Sequence, residues 1–243
     1  MLLSKSDIMS NDAKSWWNTW NARHIEPRTT YTPAITARRN FVLSALKNLN
    51  LDRPDILEVG CGTGWLCEEM LAFGNVTGTD LADEVIERAN KRVPKARFVA
   101  GDFLSLELPK ESFDVVVTIE TIAHIGDHQS FIEKIASLLK PRGYLILTTQ
   151  NRWVFKRMET MQVEHPHSTW LNMTEALRAV LPKFSLIKAS TVLPEGHMGV
   201  LRYVNSYRLD TVCRKLGILE NVNRLKEGLG LGQTITIIAK KKA

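Results

Sequence analysis

From Asp55 to Gln150 the chain alternates between two hydrophobic periods. The short apolar runs DILEVG, NVTGTD, ARFVAGD, FDVVVTIE and YLILTTQ have the length and β-branched content of buried strands. Between them lie GWLCEEMLAFG, ADEVIERANKRV and SFIEKIASLLKPRG, whose apolar residues recur at helical spacing. In the third of these, positions 131, 132, 135, 138 and 139 share a face, and Lys140-Pro141 predicts the stop. Asp83 is placed to cap the second helix, Pro94 lies beyond its end, and Gly74 suits the end of the first. Strand–helix alternation predicts parallel strands joined by right-handed crossovers, an α/β doubly wound sheet. TEALRAVLPKF extends the pattern with a helix, SLIKASTVL with a sixth strand and QTITIIAK with a terminal strand.

Outside this alternation, the stretch from Ala13 to Asn50 predicts one or two helices. Two connections are long: Asn151 to Met173 after the fifth strand, and Pro194 to Leu231 after the sixth. The second contains RYVNSYRLDTVCRKLG and LENVNRLKEGLG, both amphipathic as helices. Both leave the carboxyl ends of their strands, the edge at which open α/β sheets bind ligands. They are expected to roof a pocket together with the N-terminal helices.

The 243 residues suffice for one α/β domain, and 44% hydrophobic with 24% charged residues is ordinary for a globular protein. No apolar run reaches the roughly 18–20 residues of a membrane span. The first residues lack an apolar signal-peptide core, so a cytoplasmic protein is expected. Cys61, Cys67 and Cys213 form no CxxC pair, which argues against a disulfide frame or a zinc knuckle. The net charge of +6 comes partly from the AKKKA tail and is otherwise spread along helices, which disfavours a nucleic-acid partner.

Gly60, Gly62 and Gly64 follow the first strand, and Asp80 closes the second. Glycine permits the sharp strand-to-helix turn and a close approach of ligand to backbone. A carboxylate at Asp80 can accept two hydrogen bonds from a ribose diol, a logic that alone admits NAD as well as other nucleosides. The spacing reads E-x-G-x-G-x-G, however, not G-x-G-x-x-G. Glu58 is ill suited to a pyrophosphate at a helix N-terminus and suits a ligand with a cationic amine.

With AGDF after the third strand, FDVVVTIETIAHIGD at the fourth and LLKPRGYLILTT at the fifth, the chain resembles the class I S-adenosylmethionine-dependent methyltransferases from about Asp55 to Arg152. TIETIAHIGD and TTQNR are similar to the branch containing the ubiquinone-pathway O-methyltransferases. The resemblance implies one domain over residues 1–243: a helical cap (1–50), a cofactor-binding half (51–150) and substrate-side insertions (151–173 and 194–231). It implies a Rossmann-like, seven-stranded, mostly parallel sheet with an antiparallel last strand. It implies methyl transfer from S-adenosylmethionine, leaving S-adenosylhomocysteine, to a small, largely apolar metabolite, first of all at a hydroxyl oxygen, with a carbon or nitrogen acceptor as the alternative and RNA or protein methylation behind both; a monomer or homodimer is expected.

Residue by residue, the resemblance puts Glu58 to Gly64 beneath the methionine part of the cofactor, with Gly60 and Gly62 in contact. It puts Asp80 on the ribose, Leu81 under the adenine, Asp102 on the adenine amino group and Phe103 beside the ring. Ile119 and Glu120 line the transfer site. Arg38, with Arg39 as second choice, is the candidate for the cofactor carboxylate. Cys61 reads as a small filler, not a nucleophile.

His124, just past the fourth strand, is the first candidate base, because imidazole titrates near neutral pH. Its alternative role is bracing that loop. Glu164, His165 and His167 in VEHPHSTW come next, and His197 belongs to the other long connection. An E-H-x-H cluster with no second ligand set does not make a metal site, and none is expected. Trp16, Trp17, Trp20 and Tyr31 suit docking of the N-terminal helix on the core, or an apolar lid over the substrate.

Overall fold

The computed structural model describes residues 14–19, 32–158 and 168–242. Seven strands form one sheet: β1 (Asp55–Val59), β2 (Asn75–Asp80), β3 (Arg97–Ala100), β4 (Phe113–Ile119), β5 (Leu139–Gln150), β6 (Phe184–Pro194) and β7 (Gly232–Lys241). Their order is β3-β2-β1-β4-β5-β7-β6. β1 to β5 are parallel, and β7 inserts antiparallel between β5 and β6. The order reverses direction between β1 and β4, which makes the crevice at their carboxyl ends the topological switch point.

Helices cover both faces. α1 (residues 14–19) and α2 (Pro33–Leu49) precede the sheet. α3 (Trp65–Met70), α4 (Asp83–Arg92) and α5 (His128–Leu138) are crossovers. α6 (Arg152–Phe155) and α7 (Met173–Val180) lie between β5 and β6; α8 (Val200–Val204), α9 (Tyr207–Lys215) and α10 (Leu219–Gly228) lie between β6 and β7.

The period of two divides each strand between two cores. Ile56, Val115, Val117 and Ile146 pack under α2 and α3 with Val42, Leu46, Leu66 and Met70. Leu57, Val116, Leu145 and Leu147 face the other way, against Phe131, Ile132 and Ile135 of α5 and Val180 of α7. Burial on both faces is why these strands read as continuous apolar runs.

Two local expectations are corrected. Ala82, with extended backbone, is the residue ahead of α4, and Asp83 lies inside the first turn. Its carboxylate meets Lys14 Nζ at 2.7 Å and Asn18 Nδ2 at 3.1 Å instead of capping the helix. α5 ends at Leu138, before Lys140-Pro141, and starts earlier than SFIEK. Asp127 caps it by accepting from the Ser130 amide at 2.9 Å. Lys140-Pro141 belongs to the irregular start of β5, where pairing with β4 shifts between Phe113 and Val115. Lys140 Nζ there bridges Asp55 at 3.0 Å and Asp114 at 2.8 Å.

Candidate active site

After Val59 the chain turns through Gly60, Gly62 and Gly64, at φ +76°, +53° and +72°. L-residues are strained there, but the three glycines serve different ends. A Cβ at Gly60 would lie 2.2 Å from Thr121 Oγ1, and one at Gly64 would lie 2.8 Å from the Phe98 ring. A Cβ at Gly62 would meet nothing within 4 Å. The outer glycines therefore admit protein packing, and the middle one leaves an open face.

The turn is tethered to the end of β2. The amides of Gly60 and Cys61 donate to the Thr79 carbonyl at 2.8 and 3.0 Å. Asp80 Oδ2 accepts from the Gly62 amide at 2.9 Å, and Oδ1 from the Ala82 amide at 3.0 Å. Burial raises the Asp80 pKa although these backbone bonds act to lower it. Each carboxylate oxygen has a second acceptor site, so a diol remains within its capacity. Leu81 follows, half-buried, at the turn into α4.

Beneath the loop, Glu58 is buried and accepts from the Cys67 thiol at 2.9 Å. Burial pushes its carboxyl up to about 8, with the Asp80 charge adding to the rise. Cys61 is 1% exposed. Contact with the Cys67 thiol acts to lower its pKa, but burial and the Glu58 and Asp80 charges prevail and raise it, as befits a packing residue.

At the end of β4, Glu120 takes φ +60°. Its Oε1 accepts from Thr148 Oγ1 at 3.1 Å and lies 3.1 Å from Arg38 Nε. Arg38 Nε also points at Thr234 Oγ1, 3.3 Å away, while the two terminal nitrogens of Arg38 have no hydrogen bond or ion pair among the described residues. Arg39 turns the other way, to Glu69 of α3, so the two candidate arginines separate. Ile119 is half-buried against the α2-side core. Thr121, which the sequence did not single out, donates to the Val59 carbonyl at 2.9 Å and fills the space beside Gly60. Nothing local in the sequence signals this contact.

Asp102 Oδ1 accepts from the Leu104 amide at 3.0 Å and shapes the turn after β3. The Phe103 ring is 6% exposed and packs edge-on against Phe131, at 5.3 Å between centroids, which puts it in the core. His124 Nδ1 lies 3.0 Å from Ser168 Oγ, and its ring stands edge-on to Trp17 at 4.8 Å. His197 is exposed. Trp20, Tyr31, Glu164, His165 and His167 lie outside the described residues.

The two long connections meet. The Arg157 carbonyl accepts from the His197 and Met198 amides at 2.9 and 3.1 Å. Asn151 Nδ2 donates to the carbonyls of Gly230 and Gly232 at 3.0 and 2.9 Å. The Thr169 amide donates to the Ala123 carbonyl at 2.7 Å, which brings the end of the first connection against the loop after β4.

A family profile described as a methyltransferase domain matches residues 57–147, the span holding the glycine turn, Asp80, Asp102 and Glu120. Residues 57–147 are a methyltransferase domain by this match, and they lie on a sheet whose order and polarity are those of the class I S-adenosylmethionine-dependent fold.

The chain is 31% identical over 162 residues to a ubiquinone biosynthesis O-methyltransferase of Bartonella tribocorum. That match covers 61% of this chain and 64% of the relative's length. Among solved structures, the S-adenosylmethionine-dependent methyltransferase from Mesorhizobium loti superposes with a TM-score of 0.56 at 16% identity, covering 81% of this chain and 96% of that one. A geranyl diphosphate C-methyltransferase from Streptomyces coelicolor gives 0.60 at 15% identity, over 84% and 78%. These likenesses establish the fold, and they span enzymes named for oxygen and for carbon acceptors, so the fold does not fix the atom methylated.

The domain's own residues fit its cofactor. Gly62 leaves the loop face open, Asp80 has acceptor capacity to spare, Glu58 is a buried carboxyl whose pKa burial raises, and the terminal nitrogens of Arg38 have no partner among the described residues. No helix of the described residues is long and apolar enough to cross a membrane.

Proposed function

We propose that this protein methylates a hydroxyl oxygen of a small, largely apolar metabolite. The observation that carries the reading is the glycine turn tied to Asp80, open at Gly62 and lying in a domain akin to a named O-methyltransferase. When bound, S-adenosylmethionine supplies a methyl group activated by its sulfonium.

The chain's residues then bind, align and exclude water. Asp80 accepts from the ribose hydroxyls, Glu58 balances the cationic amine, and the backbone of Gly60 and Gly62 contacts the methionine part. The Arg38 terminal nitrogens hold the cofactor carboxylate. Asp102 accepts from the adenine amino group, with Leu81 below the ring and Phe103 supporting the turn from behind. Ile119 and Glu120 line the transfer site, and the 151–173 and 194–231 connections cover the acceptor. Alignment of this kind lowers barriers by several kcal/mol, up to roughly 7–11 in the best intramolecular cases.

His124, oriented by Ser168, is the first choice to remove the hydroxyl proton, with His165 and His167 as further candidates. The test is transfer of a labelled methyl group to hydroxylated aromatic acceptors, with NMR of the product to separate O–CH₃ from N–CH₃ and C–CH₃. An N- or C-methyl product overturns the hydroxyl assignment. Failure to bind S-adenosylhomocysteine in calorimetry overturns the methyltransferase reading itself.

A further inference from the structure

On the α2 side of the sheet, a row of polar side chains lies at the carboxyl edge of β5 and the facing end of β7. Pairing places Thr148 opposite Thr236 and Gln150 opposite Thr234. Directly opposed residues share a face and stand about 4.5–5.5 Å apart at Cβ. The threonines of the row are engaged. Thr148 donates to Glu120, Thr234 faces Arg38 Nε, and Thr236 donates to the Ser190 carbonyl at 3.1 Å.

Gln150 is the exception. It is 5% exposed, and its Oε1 is buried with no hydrogen-bond partner among the described residues. A buried carboxamide left this way is costly, and an apolar residue of the same shape would avoid the cost. Gln150 is also the last residue of β5, at the edge where the site opens, and its cross-strand partner Thr234 touches Arg38.

The missing partner must donate a hydrogen bond to Oε1. The carboxylate assigned to Arg38 is acceptor-only, and the cationic amine is assigned to Glu58 of β1, with β4 lying between that strand and β5. A hydroxyl both donates and accepts, so it satisfies the carboxamide in either orientation of its O and N. We propose that Gln150 is a specificity-determining residue that reads a hydroxyl on the methyl acceptor. This rests on the methyltransferase reading above and adds the group that recognises the acceptor.

The test uses the full chain saturated with S-adenosylhomocysteine and titrated with catechol or with veratrole, its dimethyl ether, which cannot donate. The wild type is expected to bind catechol about tenfold or more tighter than veratrole. Gln150→Met, which keeps the shape and removes the polar atoms, is expected to abolish that preference. The variant should keep S-adenosylhomocysteine affinity within about twofold and unfold at the same or a higher urea concentration. Equal binding of both probes by the wild type, or an unchanged preference in the variant, overturns the proposal. A large loss of S-adenosylhomocysteine affinity would make Gln150 a cofactor contact, and lower stability would make it structural; either also overturns it. If the wild type fails to bind S-adenosylhomocysteine, the methyltransferase reading falls first, and that result is separate from every outcome above. Gln150→Leu supplies a second apolar variant should Gln150→Met not accumulate.

Discussion

Arg38 Nε stands 3.1 Å from Glu120 Oε1, with the two side chains 17% and 10% exposed. This ion pair ties the helix ahead of the sheet to the switch point between β1 and β4. Removing one partner of a buried pair leaves the other charge uncompensated and typically costs about 3–5 kcal/mol. Glu120→Ala should therefore lower the urea-unfolding free energy by about that amount, and Arg38→Ala/Glu120→Ala by less than the sum of the single changes. Additive losses would show that the pair is not coupled.

The glycine turn makes a paired prediction. Gly60→Ala puts a methyl against Thr121 at a positive φ and should destabilise the fold by about 1–3 kcal/mol. Gly62→Ala meets no protein atom, so it should fold with a smaller loss yet bind S-adenosylhomocysteine about tenfold or more weakly. Thermal unfolding and calorimetry on the two variants check this. A Gly62 variant with full affinity would move the cofactor off the loop face.

Asp80→Ala should weaken S-adenosylmethionine binding by about 1–3 kcal/mol, the usual cost of losing a charged acceptor. It also frees the Gly62 and Ala82 amides, so stability should fall alongside affinity. Unchanged affinity would mean that the ribose is held elsewhere.

Glu58 makes stability depend on pH. Burial raises its carboxyl from the usual 4.5 to about 8. Between those values the folded chain retains a proton that the unfolded chain has released, so rising pH favours unfolding. Between pH 5.5 and 8 the Glu58 contribution should fall by about 3 kcal/mol in the cofactor-free protein. Urea midpoints at the two pH values, compared with those of Glu58→Gln, isolate it. The same slope in the variant would assign the effect to another group.

His124→Ala should leave S-adenosylhomocysteine affinity unchanged and reduce kcat on a phenolic acceptor by about 10²-fold or more. The pH dependence of kcat should flatten with it. If turnover and its pH profile both survive, the Ser168 and Trp17 contacts hold the loop and do no more.

The central strands β1 and β4 were legible because they are buried on both faces, so DILEV and FDVVVTI stand out as continuous apolar runs. The glycine turn was legible because its φ requirement is local. Arg38 was a candidate from its place ahead of the sheet, but its bond to Glu120 spans the whole cofactor half and leaves no periodic trace. Thr121 against Gly60, and Asn151 against Gly230 and Gly232, were hidden for the same reason. Asp83 was misread because an acidic residue in a first turn fits the helix dipole as well as it fits a cap, and Lys14 and Asn18 decided between them.

β7 is the latest strand in sequence, yet it lies inside the sheet between β5 and β6. The facing edges of β5 and β6 therefore find their native partner only once residues 232–241 have been made. Thr234, the neutral contact of Arg38, arrives only then. The sheet is thus assembled around a gap, and the candidate site is completed only when β7 fills it.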